Sequence, residues 1–328
     1  MTNKIASFLL VMAVFLMGLT GNEAQGVSQT PRIGILTKKA EQSDSMTVKG
    51  LRAGLKELGY REGKNILIEV GHARGERGAL KSAAVKLLSK KADLIFTMGS
   101  AAILAAMAAT TEIPIVFRHP LDPVALGFVK SMDRPGGNVT GVAGLSVQQA
   151  ETRLEILQEI VPTLRRVLIF YDLYNPISRG HFAIAEAAAT NLGLHVAAYP
   201  IKNDKELKRS INRFKKKEGD ALYHVSDLLV QSQADFIFKV ARQKKLPTMF
   251  GRSAWAARGS LAGYGPNYFE MGRQAASLVD KILKGARHEN LPVESPKKFD
   301  LFINLRTASI IGITVPPEVL SRADKIIR

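Results

Sequence analysis

Short apolar runs rich in β-branched residues alternate with helical-period stretches along almost the whole chain, and this alternation limits its fold more than any single motif. From Arg32, Ile33 to Leu36 reads as a strand, and Val48 to Leu58 reads as a helix with Leu51, Leu55 and Leu58 at helical spacing before Gly59. Asn65 to Val70, Ala92 to Thr97 and Ile113 to Phe117 read as further strands, with helices over Leu80 to Leu88 and Ser100 to Thr110. The plan then repeats. Strands are expected over Arg166 to Tyr171, His195 to Tyr199, Ala221 to Val225, Pro247 to Phe250, Leu261 to Tyr264 and Phe299 to Asn304, and helices over Ile184 to Leu192, Asp204 to Lys216, Gln231 to Gln243 and Phe269 to Lys284. Repeated βα units build a parallel sheet covered by helices, with ligands outside the carboxyl ends of the strands. At 328 residues the chain is long for one core. The expected class is α/β, as two doubly wound parallel-sheet lobes with a cleft between them.

The divide falls at Asp133 to Ser146, where Gly136, Gly137, Gly141 and Gly144 loosen the backbone and Val139-Thr140 favours an extended path. Ser146 is placed to cap a helix running from Val147 to Val161, which Pro162 ends. A crossover that bends near Gly141 to Ser146 is expected. An ordinary Gly-rich loop inside one large domain is the competing reading.

The amino end has the pattern of an export signal: Lys4, an apolar run from Ile5 to Leu19, and small residues at Ala24 and Gly26. Cleavage near Gly26 and a periplasmic location are expected, with an uncleaved anchor as the alternative. The chain has no cysteine, so neither a lipid-attachment cysteine nor a disulfide framework is available. The net charge of +17 survives loss of this segment, because Lys4 and Glu23 cancel. The charge is spread over both halves and stands beside no recognition motif, so nucleic acid is not the expected partner.

The mature chain resembles the substrate-binding proteins of bacterial ABC transporters of the tryptophan-transporter (TrpX-like) kind. The resemblance is carried by Asp122-Pro-Val124, Arg134-Pro-Gly-Gly-Asn-Val-Thr-Gly141, Tyr264-Gly-Pro266, Val279-Asp-Lys-Ile-Leu-Lys-Gly285, Leu291-Pro-Val293, Phe302-Ile-Asn-Leu305 and Val315-Pro-Pro317. It implies the type I periplasmic-binding-protein fold and a chain that crosses between lobes more than once. The first lobe would then be 27–143 plus about 266–297, and the second 144–265 plus about 298–328, after a signal peptide at 1–26. It also implies a monomer that delivers a small organic solute, an amino acid among the possibilities, to an ABC permease in the inner membrane. Arg118 and His119 before Asp122-Pro-Val124, and Ser253 after Arg252, depart from the family's usual residues.

The loops after the strands supply the candidate ligand contacts. Gly99-Ser100-Ala101 offers a hydroxyl and free backbone N–H groups at a helix start, which favours an anion such as a carboxylate; the competing reading is that Ser100 only caps its own helix. Asp122 and Asp227 are candidate partners for an amine or, equally, helix caps. His119, Asp172, Arg252 and Tyr264 complete the set, with Trp255 beside Arg252 as a stacking surface. No His-Glu-x-x-His, Gly-x-Ser-x-Gly, dinucleotide or Walker pattern occurs, so no catalytic residue, cofactor or metal is expected. The function expected is solute binding by closure of two lobes. A ligand-sensing module for a receptor, or an exported hydrolase or transferase using Asp122 or His119, are the alternatives.

Overall fold

The structure is a computed structural model, and it describes residues 30–73, 78–119, 121–144, 149–215 and 218–328. The proposed export signal, Ser146 and the start of its helix lie outside those residues. Two sheets organise the rest.

The first sheet has the order β2-β1-β3-β4-β5, all parallel, with β1 Arg32–Thr37, β2 Leu67–His72, β3 Leu94–Met98, β4 Ile115–His119 and β5 Val139–Ala143. Its helices are α1 Met46–Glu57, α2 Ala79–Ser89 and α3 Ser100–Met107. Strands β1, β3, β4 and β5 send side chains into two buried clusters, one on each face, as expected for a sheet with helices on both sides.

The crossover is expected to bend near Gly141 to Ser146; residues 145–148 lie outside the described ones, and Gly141 to Ala143, expected to bend, belong to the segment Val139–Ala143. That segment is instead the buried edge strand β5, hydrogen-bonded to β4 and beneath neighbouring chain at Leu291 to Glu294. Gly141 serves contact rather than bending, because a Cβ there would collide with the Phe117 backbone. The β-branched pair that favoured an extended path is paired within the sheet.

The second sheet has the order β12-β11-β10-β9-β8-β6-β7. Its strands are β6 Arg166–Asp172, β7 His195–Ile201, β8 Ala221–Tyr223, β9 Thr248–Phe250, β10 Ala262–Pro266, β11 Phe299–Asn304 and β12 Lys325–Ile327. All neighbours are parallel except β10 and β11. Around it lie α4 Ala150–Ile160, α5 Pro176–Asn191, α6 Asp204–Arg213, α7 Leu228–Ser232, α8 Ala234–Gln243, α9 Trp255–Arg258, α11 Leu305–Ile311 and α12 Pro317–Ser321. Helix α5 begins eight residues before the expected Ile184, because Asn175 accepts hydrogen bonds from Ile177 and Ser178 and Pro176 occupies the first turn. The helix expected over Gln231 to Gln243 is two helices, the first started by Asp227.

The remaining helix, α10 Tyr268–Leu283, follows β10 in sequence but packs on α1 and on the first sheet. It approaches α1 backbone to backbone. A Cβ on Gly50 would strike the Phe269 carbonyl, and one on Gly272 would strike the Thr47 carbonyl. Strand β11 then returns to the second sheet.

Candidate functional site

The carboxyl ends of β3 and β4 carry the first group. Gly99 takes φ 80°, a left-handed value that glycine accepts readily, and turns β3 directly into α3. Ser100 is therefore the first helical residue and does not cap its own helix. Its Oγ lies 3.0 Å from Nε2 of buried His119. The other ring nitrogen, Nδ1, accepts the Leu121 backbone N–H at 3.1 Å. Burial lowers the His119 pKa to about 4, so the ring is neutral at pH 7. A neutral ring with Nδ1 accepting carries its proton on Nε2. His119 thus donates to Ser100, and the Ser100 hydroxyl proton is left to point elsewhere. Ala101, exposed at the same helix start, contributes one of the N–H groups that have no partner within the helix.

Adjacent residues of a strand face opposite ways. While His119 packs on the α3 side, edge-on to Phe128 at 5.4 Å, Arg118 turns toward α10. Its guanidinium carbon is 4.3 Å from the centre of the Tyr268 ring, and one nitrogen is 4.0 Å from the Met98 sulfur. The Arg118 Nε is buried with no hydrogen-bond partner.

The second group lies at the carboxyl ends of β6, β8 and β9. Arg252, exposed after β9, sets its guanidinium carbon 4.9 Å from the same Tyr268 ring and 5.8 Å from Trp255. Side chains of the two sheets meet at this ring. Arg153 of α4 is buried, donates from Nε to the Gln149 carbonyl and lies 5.7 Å from the Tyr223 ring, against Gly251. His224 is 3% exposed and stacks on Phe250 at 4.5 Å, with neither ring nitrogen hydrogen-bonded. Burial first, then Arg153 and Arg252, lowers its pKa to about 3. His181, whose Nδ1 lies 2.8 Å from the Ser226 carbonyl, is also lowered by burial. The positive charge here belongs to arginines alone, since the buried histidines are neutral at pH 7.

The aspartates are tied to the backbone. Asp227 is buried and uses both oxygens, one for Val230 N–H at 2.7 Å and one for Asp172 N–H at 3.2 Å. Asp122 accepts from the N–H groups of Val124 and Ala125, and Asp172 accepts from Tyr174. Tyr264 is half-buried and stacks on Phe299 at 5.8 Å. A surface hollow lined by Glu186, Thr190 and His195 sits at the amino end of β7, the opposite end of the sheet from all these groups. Among the described residues, no group of three His, Cys, Asp or Glu is placed to hold a metal ion, and no helix is long and apolar enough to cross a membrane.

The expected residues therefore divide. Ser100, Ala101 and His119 cluster in the first half, and Asp172 and Asp227 bond to each other in the second. Arg252 reaches across to Tyr268. Arg153, His224 and Tyr268 were not anticipated. Arg153 had a readable signal: it falls on the apolar stripe of its helix, three residues after Ala150 and next to Leu154, where a charge needs a reason.

A family model described as ABC transporter substrate binding protein matches residues 32–327. The chain belongs to that family. This substrate-binding protein is a transporter component and not an enzyme. It is 28% identical over 325 residues to a tyrosine-binding protein of Clostridioides difficile strain R20291, covering 95% of this chain and 93% of that one. It superposes on the ligand-free, open structure of a substrate-binding protein with adhesive properties from Clostridium difficile, with TM-score 0.77 and 28% identity over 90% of this chain and 99% of that one. An ABC domain from Streptococcus pneumonia in complex with L-Trp shares the fold, with TM-score 0.76, 23% identity and coverage of 91% and 100%. The fold is that of the type I periplasmic binding proteins.

Proposed function

We propose that this substrate-binding protein takes up a carboxylate-bearing organic solute of amino-acid size from the periplasm and, as a monomer, hands it to an inner-membrane permease. Residues 27–143 with about 266–297 form one lobe and 144–265 with about 298–328 the other, and the solute lies between them. The solute's carboxylate accepts bonds from the Ser100 hydroxyl and the first N–H groups of α3. The leader is cleaved near Gly26.

The observation that carries this reading is the meeting of Arg252 with Tyr268. Groups at the carboxyl ends of both sheets are brought to one place, where a small molecule would touch both halves. The tyrosine-binding relative supports an amino acid as the first solute to try. Thermal-shift screening of amino acids and organic acids, followed by calorimetry and small-angle scattering on each hit, tests the reading. A hit that reduces the radius of gyration is expected. Saturating binding without any change in radius would overturn closure, and mass spectrometry of the periplasmic protein still beginning at Met1 would overturn cleavage.

A further inference from the structure

The two guanidinium groups at Tyr268 remain unexplained by a single carboxylate at Ser100. Arg118 comes from the first sheet and Arg252 from the second, and both lie within 5 Å of one ring centre, at 4.3 and 4.9 Å. Neither is paired with a carboxylate among the described residues. The Tyr268 ring face attracts each cation but cannot accept the N–H groups that carry the charge in hydrogen bonds of full strength. Arg118 Nε is buried and unsatisfied, and a buried donor without a partner is costly unless something else supplies the acceptor. Bringing two like charges together as the halves approach adds to that cost.

We infer that the solute carries a second acidic group, which sits between Arg118 and Arg252 beside Tyr268 while the first is held at Ser100. This rests on the solute-binding reading above and narrows it to dianionic acids. The two anchor points are separated by the strand itself, since His119 and Arg118 leave β4 on opposite faces. One carboxylate cannot serve both. The neighbouring acids offer little to a cationic group: Asp227 is buried with both oxygens committed to backbone N–H groups, and Asp122 and Asp172 each cap a turn. The second acid also gives closure a cause. Where Arg118 and Arg252 meet at Tyr268 they repel each other, and an anion between them gives each guanidinium a charge-assisted partner and so favours the state in which the halves meet.

The test uses three matched pairs of solutes that differ by one carboxylate: valerate and glutarate, L-norvaline and L-glutamate, L-phenylalanine and 4-carboxy-L-phenylalanine. Affinities are measured by calorimetry for the full mature protein, Arg118→Gln and Arg252→Gln. In at least one pair the acid member should bind tenfold or more tightly than its partner, and each substitution should remove that advantage. Arg252 is exposed, so its variant keeps the test sound if Arg118→Gln folds poorly. The inference is overturned if no acid member binds more tightly than its partner, or if the advantage persists in Arg252→Gln. If L-phenylalanine or L-norvaline binds and closes the protein with no gain from the added carboxylate, the solute-binding reading stands and only the second-acid inference falls. If none of the six binds, both fail for solutes of this size.

Discussion

The Leu121 backbone N–H donates to His119 Nδ1 across 3.1 Å, and this bond decides what Ser100 can do. It fixes the proton of a neutral imidazole on Nε2, which faces the Ser100 hydroxyl at 3.0 Å. The serine oxygen is thereby occupied as an acceptor, and its own proton is available for an anion. His119 acts as a positioning residue in this arrangement.

His119→Phe should therefore weaken the best-binding carboxylate solute by roughly tenfold, about the effect of losing one charge-assisted hydrogen bond. Ser100→Ala should do the same, and the double variant should be little weaker than either alone, because the two residues act as one unit. Calorimetry on the four proteins measures the coupling. Additive losses would place His119 outside the anion site.

The contact of α1 with α10 predicts a sharp contrast between glycines. Gly50→Ala should destabilise the protein by about 1–3 kcal/mol or more, since the added methyl meets the Phe269 carbonyl rather than a yielding side chain. Gly180→Ala, in the middle of α5 with nothing near its Cβ position, should stabilise by about 0.5–1 kcal/mol. Urea unfolding of both variants checks the difference.

Stability should fall with acid partly through His224. Its pKa is about 3 in the folded protein against an ordinary 6.5, so the unfolded chain binds the proton first. The stability this residue supplies is complete above about pH 6.5 and is lost progressively as the pH falls toward 3. Between pH 7 and pH 5 the loss is about 2 kcal/mol. In His224→Leu, whatever its melting temperature at pH 7, the further drop on going to pH 5 should be visibly smaller than in the parent.

Asp227→Ala should lower the melting temperature, because it strips partners from the Val230 and Asp172 N–H groups at a cost of about 1–3 kcal/mol each if they stay buried. The affinity of the folded variant for a carboxylate solute should stay within about threefold of the parent. A larger loss of affinity with an unchanged melting temperature would make Asp227 a ligand contact instead of a cap.

Much of the fold could be read from local pattern, since β1, β6 and β11 begin and end within a residue or two of where their apolar runs place them. What pattern could not supply was partnership across long separations. Nothing local to Val139–Ala143 says that it pairs with β4, and nothing in β11 says that it runs antiparallel to β10. The site followed the same rule. Ser100 stood out because a strand ends and a helix starts beside it. Arg118 stood out only as a departure from the family's usual residues and Arg153 only as a charge on an apolar stripe, because their meaning comes from the strand face or helix face they occupy and from what another part of the chain brings there.

The packing of α10 on α1 has a consequence for how the molecule is made. During synthesis α1 and the first sheet emerge early, yet the helix that covers them begins only at Tyr268. Until the ribosome has passed Leu283, Val48, Leu51 and Leu55 lack their apolar cover of Met271, Ala275, Ala276 and Val279. A stalled or truncated product ending before Tyr268 is therefore no stable half-molecule, but a chain with a bare apolar face for chaperones and proteases to find.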